Sequence, residues 1–86
     1  LRPKLVVGFA AETNSLKNNS LKKLSEKNCD WIIANDVSKD ESGFDAEYNE
    51  ITIFYKNKKM KTEKLSLRKK SEISEEIVDR IVAQIN

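Results

Sequence analysis

Apolar and polar residues alternate along this chain in blocks whose lengths and periods predict its elements. Residues 4–9, KLVVGF, form a short apolar run of strand length, punctuated by Gly8. Thr13, Asn14 and Ser15 are consecutive helix-starting residues, and 14–28 reads as a helix. Its apolar stripe is thin, Leu16, Leu21 and Leu24 with Ser20 and Ser25 nearby, which predicts a wet side. Asn28 suits the helix end. Asp30 then leads into 31–35, WIIAN, an apolar run of the kind found in buried parallel strands. Two strands joined by such a helix make a βαβ unit with a right-handed crossover.

Residues 36–50, DVSKDESGFDAEYNE, read as a loop by their Asp, Ser, Gly and Asn content, long enough to point to function or mobility. The β-branched and aromatic run ITIFY at 51–55 is a strand, KNKK at 56–59 a turn, and MKTEKL at 60–65 a charged strand that belongs at a sheet edge. Ser71 is placed to cap a helix over 72–85. There Ile73, Ile77, Val78, Ile81, Val82 and Ile85 recur at helical spacing and define one apolar face. The order β-α-β-loop-β-hairpin-α is α/β, and two parallel strands plus a hairpin are a thin sheet on which to bury that helix.

Composition narrows the chemistry. The 86 residues allow one domain or a piece of one, and a chain starting at Leu1 reads as a segment of a longer protein whose upstream half is absent. Hydrophobic residues make up 38% and charged residues 35%, polar for a globular domain but too periodic for a disordered one. No apolar run has the length of a membrane span and no signal-peptide pattern appears. Cys29 is the single cysteine and histidine is absent, which removes an intrachain disulfide, a thiolate metal cage and the His-based triads. A reducing, cytoplasmic setting is expected. The net charge of +2 is uneven: 36–50 holds six acids and one lysine, and 56–70 holds eight basic residues and one acid.

The stretch VVGFAAETNS at 6–15 is ambiguous by itself. A strand feeding a helix through small residues can place backbone N–H groups beside a phosphate, or make an ordinary turn. Together with motifs further along the chain, it carries a resemblance. GFAAET at 8–13, ANDVS at 34–38, Gly43-Phe44 and Asn49 ahead of ITIF form an ordered set similar to the C-terminal part of bacterial phosphopantothenoylcysteine synthetases. The resemblance is strong over 5–55, weak over 56–70 and generic over the last helix. It implies the C-terminal part of a Rossmann-like three-layer domain.

The activity that the resemblance implies is an amide ligase of coenzyme A biosynthesis. The carboxylate of 4′-phosphopantothenate attacks the α-phosphate of CTP, giving an acyl-cytidylate and pyrophosphate, and the amine of cysteine then displaces CMP. Magnesium is expected on the phosphates. FMN is expected only in a decarboxylase domain fused upstream, and the full-length protein is expected to be a homodimer or larger. Carried over by position, Phe9 lies beside the cytidine, and Lys23 and Lys27 reach the CTP phosphates. No catalytic residue and no metal ligand is assigned within this chain. The upstream lysine-rich motif and the cytosine-reading segments are missing, so no turnover is expected from these residues alone.

Each of these residues also has a plain structural reading. Phe9 suits a core strand, and Lys23 and Lys27, four apart, suit a solvated helix face as well as a pair of phosphates. Asn35 and Asp36 end a parallel strand, where α/β proteins place ligands, but a satisfied turn fits equally. Cys29 reads as a small buried hydrophobe and Trp31 as core or dimer packing. Two other functions compete with the ligase reading. The basic run 56–70 could serve a nucleic-acid-binding module, although no aromatic comes after Tyr55 to stack on bases. An exposed edge strand could serve a non-catalytic interaction module.

Overall fold

A computed structural model describes residues 4–37 and 48–86. In chain order the described elements are β1 (Val7–Glu12), α1 (Leu16–Glu26), β2 (Trp31–Asp36), β3 (Tyr48–Tyr55), β4 (Glu63–Lys69) and α2 (Lys70–Ile85). They form one four-stranded sheet in the order β1-β2-β3-β4. β1 and β2 are parallel, while β3 and β4 add as an antiparallel hairpin. The α/β class and the βαβ unit are as the sequence predicts. The charged edge strand is present but spans Glu63–Lys69 rather than 60–65, and the third strand starts at Tyr48, inside the expected loop, because both lengthen by pairing with each other. Gly43, Phe44 and most of the 36–50 loop lie outside the described residues.

Several boundaries move, each for a physical reason. β1 does not close at Phe9 but runs to Glu12, because Ala10, Ala11 and Glu12 pair in register with Ala34, Asn35 and Asp36. The pairing is extended at both ends. Val6 N–H donates to the Asp30 carboxylate at 2.8 Å, and Val37 N–H donates to the Glu12 carbonyl at 3.0 Å. α1 starts at Leu16, not 14. Ser15 is its N-cap but sits in the left-handed region at φ 47°, and its hydroxyl makes no capping bond. Instead the Asn19 amide donates to the Asn14 carbonyl. The other end is as expected. Asn28 takes φ 50°, and the Asn28 and Cys29 N–H groups bond the Ser25 and Leu24 carbonyls, closing the helix as a Schellman motif with asparagine in glycine's usual place.

The helices cover opposite faces of the sheet, giving three layers. Leu24 of α1 packs with Ala10, Cys29, Ile32, Ala34 and Phe54. Ser20, which lies beside the thin apolar stripe, is fully buried against the sheet, its small side chain letting α1 approach, whereas Leu21 of that stripe is exposed. On the other face, Ile73 of α2 packs on Trp31, Ile33, Ile51, Ile53, Tyr55 and Leu65, with Ile77 and Ile81 partly buried beside it. Trp31 and Tyr55 are cross-strand partners whose rings meet edge to face at 5.2 Å.

The apolar face predicted for α2 divides: Ile73, Ile77 and Ile81 meet the sheet, whereas Val78, Val82 and Ile85 stay exposed. Nor does Ser71 cap this helix. β4 runs into it directly, with Lys69 as N-cap and Ser71 already inside the first turn. A line of polar contacts holds α2 on the hairpin. The Tyr55 hydroxyl donates to Glu63, Arg80 donates to both Glu63 oxygens and to the Glu76 carbonyl, and Arg68 pairs with Glu76.

Candidate functional site

The carboxyl ends of parallel strands are where open α/β sheets receive ligands, because the chain departs there to either side and leaves a crevice. Here those ends are Glu12 and Asp36. Side chains alternate along β1, so this edge presents different chemistry on each face.

On the α1 face Glu12 is buried, and its carboxylate accepts a 2.5 Å hydrogen bond from the Lys23 ammonium. That bond holds the Glu12 carboxyl below the usual carboxylate range. Burial opposes the effect, and a side-chain hydrogen bond from Asn19 adds to it. Lys23 is still partly exposed, so its charge is fixed in position at the end of β1 without being sealed off. Lys27 differs. It is the C-cap of α1, exposed, and lies where the helix ends beside the amino ends of the strands. The Lys56 ammonium reaches the neighbouring Asn28 side chain at that end.

On the α2 face the sheet is only half covered, since α2 lies over β3 and β4. A crevice of about 540 Å³ remains beside β1 and β2. Phe9, Ile33, Asn35, Asn49 and Ile51 form its floor, and Lys70, Ile73, Ser74 and Ile77 of α2 form its wall. Phe9 is 73% exposed at the open side. Expected to finish a buried strand, it sits in the middle of an edge strand with its ring facing outward.

Phe9 and the two lysines thus lie on opposite faces of the sheet, and within this chain they do not meet in one cavity. A ligand crossing the carboxyl edge of β1 is the geometry that brings Phe9 and Lys23 together. The sequence reading missed Glu12 as the partner of Lys23, and missed Lys70 and Ser74 as crevice residues. No local spacing signals any of these contacts, which join separate elements.

Gly8 is explained by packing alone. A Cβ there would lie 2.8 Å from Ile32 Cδ1 and 3.1 Å from Cys29 Sγ, so the glycine admits the α1-side core beneath the strand. Among the described residues, no group of three or more His, Cys, Asp or Glu side chains forms a metal cage, and no helix is long and apolar enough to cross a membrane.

Fold and crevice together define an α/β/α unit, part of a larger domain, with an open crevice on the α2 face of its sheet. Comparison with known proteins makes this more specific: the chain belongs to the family of the DNA/pantothenate metabolism flavoprotein C-terminal domain, whose profile matches residues 1–85. It is 40% identical over 82 residues to the coenzyme A biosynthesis bifunctional protein CoaBC of Bacillus subtilis, covering 95% of this chain and 20% of that protein. The CoaBC protein of Haemophilus influenzae is 42% identical over 76 residues, 88% of this chain and 18% of the relative. A cysteine/cysteine sulfinic acid decarboxylase from an unknown prokaryotic organism is 35% identical over 82 residues, 95% of this chain and 22% of the relative.

The crystal structure of the C-terminal domain of CoaBC superposes with a TM-score of 0.72 at 33% identity, covering 94% of this chain and 35% of that one. The chain therefore spans about a fifth of the length of these curated relatives, and it is similar to part of a coenzyme A biosynthesis enzyme.

Proposed function

We propose that the chain forms one wall of the nucleotide site of a CTP-dependent phosphopantothenate–cysteine ligase. The observation that carries this reading is the placement of Lys23. Its ammonium is held on Glu12 at the carboxyl edge of β1, inside the GFAAET stretch on which the family resemblance rests.

Lys23 is the phosphate ligand in this reading. The buried Glu12 carboxylate fixes the ammonium before substrate arrives, so a triphosphate meets a charge already in place. The Glu12 carboxylate also balances that charge while the site is empty. Lys27, one helical turn beyond Lys23 towards the amino ends of the strands, is assigned to the phosphates by the family resemblance alone. Phe9 packs against the nucleoside across the edge of β1. Stabilisation of developing charge by ammonium groups needs no histidine, which this chain lacks.

Magnesium would enter with the triphosphate; among the described residues no group of three or more acidic side chains converges that would hold it. It supplies charge neutralisation to the phosphates. FMN belongs to a decarboxylase part of the longer protein and engages none of these residues. The acyl and amine substrates are 4′-phosphopantothenate and cysteine, and the segments that seat them lie beyond this chain. The longer protein is cytoplasmic and a homodimer or larger in this reading, and the chain alone is inactive.

The test is CTP kinetics in the full-length protein. A charge-assisted contact contributes roughly 1.5–3 kcal/mol, so Lys23→Ala and Lys27→Ala should each raise the KM for CTP about tenfold or more. Unchanged CTP kinetics in both variants would remove the site assignment.

A further inference from the structure

α1 starts at the carboxyl edge of β1 without the usual fittings of a helix start. Its N-cap, Ser15, stands in the left-handed region at φ 47°, the Ser15 hydroxyl makes no capping bond, and no acid occupies the first turn. Asn19, half-buried at the end of that turn, secures the junction instead. Its main-chain N–H donates to the Ser15 carbonyl at 2.9 Å, and its side-chain amide donates to the Asn14 carbonyl at 3.1 Å. The same amide donates to the Glu12 carboxylate. A primary amide has two hydrogens to give, one for each acceptor.

Asn19 and Lys23 lie four apart on α1, on one helix face, and both reach Glu12. A lysine ammonium ends a flexible four-carbon stem, so it is only as well placed as the carboxylate that receives it. Asparagine is shorter and stiffer, and this one is tied to the β1–α1 loop through its other hydrogen. The contacts therefore run in series from the Asn14 carbonyl through the Asn19 amide and the Glu12 carboxylate to the Lys23 ammonium. We propose that Asn19 is a positioning residue for the nucleotide: it holds Glu12 against the β1–α1 loop and so fixes where Lys23 presents its charge to the triphosphate. The inference rests on Lys23 as a phosphate ligand and adds a residue that the family resemblance does not name.

The experiment uses CTP kinetics of the full-length protein. Asn19→Leu keeps the side chain's bulk, favours the helix and removes both donors. It should raise the KM for CTP about threefold or more, the worth of one hydrogen bond, and leave kcat within about twofold of the wild type. The split follows because the ammonium meets phosphate in the ground state and the transition state alike. Asn19→Asp separates positioning from a role in folding alone. A carboxylate near a helix start is favourable, so a residue that serves only α1 would tolerate aspartate. A positioning amide would not. Aspartate gives Glu12 no hydrogen, repels it and competes for Lys23, so the KM should rise at least as far as in Asn19→Leu.

Competitive acetylation by acetic anhydride, read by peptide mass spectrometry, follows the ammonium without any nucleotide. Lys23, held by Glu12, should react more slowly than the exposed Lys17, and about threefold faster in Asn19→Leu than in the wild type. The inference is overturned by an unchanged KM for CTP in either Asn19 variant, by a kcat that falls while the KM stays level, or by an unchanged Lys23 acetylation rate in Asn19→Leu. An unchanged KM in Lys23→Ala fells the nucleotide reading and this inference with it. A raised KM in Lys23→Ala beside an unchanged one in Asn19→Leu fells this inference alone.

Discussion

Gly8→Ala tests whether the first glycine of GFAAET serves packing or ligand approach. Its φ is not positive, so alanine suits the backbone, and the loss of unfolded-state freedom should favour the variant by about 0.4–1 kcal/mol. Against this, the new methyl lies 2.8 Å from Ile32 Cδ1, inside contact distance, and 3.1 Å from Cys29 Sγ. Both neighbours are buried, so neither can turn into solvent. Overpacking of this kind costs about 1–3 kcal/mol, and the lower part of that range applies because Cδ1 is the end of a side chain. A net loss of roughly 1 kcal/mol should lower the melting temperature of a domain this size by about 4–8 °C.

The cause is isolated by a double-mutant cycle read by thermal unfolding. Ile32→Val removes the clashing carbon and costs about 0.5–1.5 kcal/mol alone. Combined with Gly8→Ala it should cost at least about 0.5 kcal/mol less than the sum of the two. An additive cycle, or a Gly8→Ala protein as stable as the wild type, would refute the packing account.

The polar contacts give further expected outcomes. The Tyr55 hydroxyl is pushed up to about 12 by burial, with the hydrogen bond to Glu63 as the next cause. The raised value means that the neutral phenol favours the fold. Its contribution is whole below the unfolded value near 10 and is lost as pH rises toward 12; tyrosinate absorbance of the wild type minus that of Tyr55→Phe should show a midpoint near 12. Glu63, lowered chiefly by the Arg80 hydrogen bond, and Glu12, lowered chiefly by Lys23, have the opposite sign. Their contributions are whole above the ordinary carboxylate range and are lost as pH falls through the depressed values, so urea midpoints should drop on acidification, and by less in Glu63→Gln. Arg80→Ala breaks the bridge between α2 and the hairpin at a partly exposed position and should cost about 1 kcal/mol, read as a lower urea midpoint. Finally, Glu12→Gln keeps the Lys23 charge but loses the carboxylate that fixes it in place, so the KM for CTP should rise, and by less than in Lys23→Ala; equal damage from both would make the pair structural only.

Much of the architecture is legible along the chain because it comes from local periodicity. The WIIAN run, the ITIFY strand and the helical spacing of Ile73, Ile77 and Ile81 each bury the face their period predicts. Asn28 ends α1 because asparagine tolerates the left-handed turn, and Cys29 and Trp31 lie in the core as their composition implies. The boundaries at Phe9, Leu16 and Lys69 were not legible. The extension of β1 to Glu12 depends on pairing with β2, which no window of one strand contains. Phe9, Lys23 and Lys27 were reached through the family resemblance of GFAAET and the helix after it, since lysines four apart on a helix are common on any solvated surface.

The set of elements, their order, the α/β class and the family could all be read from residues in a row, because hydrophobic period, turn residues and motif order are properties of chain neighbours. Which distant groups meet could not, since that depends on how the layers pack. Glu12 finds Lys23 eleven residues away, the Asn35 Oδ1 is enclosed without a partner among the described residues in the crevice that Lys70 lines, and Phe9 lies on the opposite face from the lysines it was expected to join. The pleat sends alternate residues of β1 to opposite faces, and how α2 comes to rest on the sheet sets which of those faces remains open.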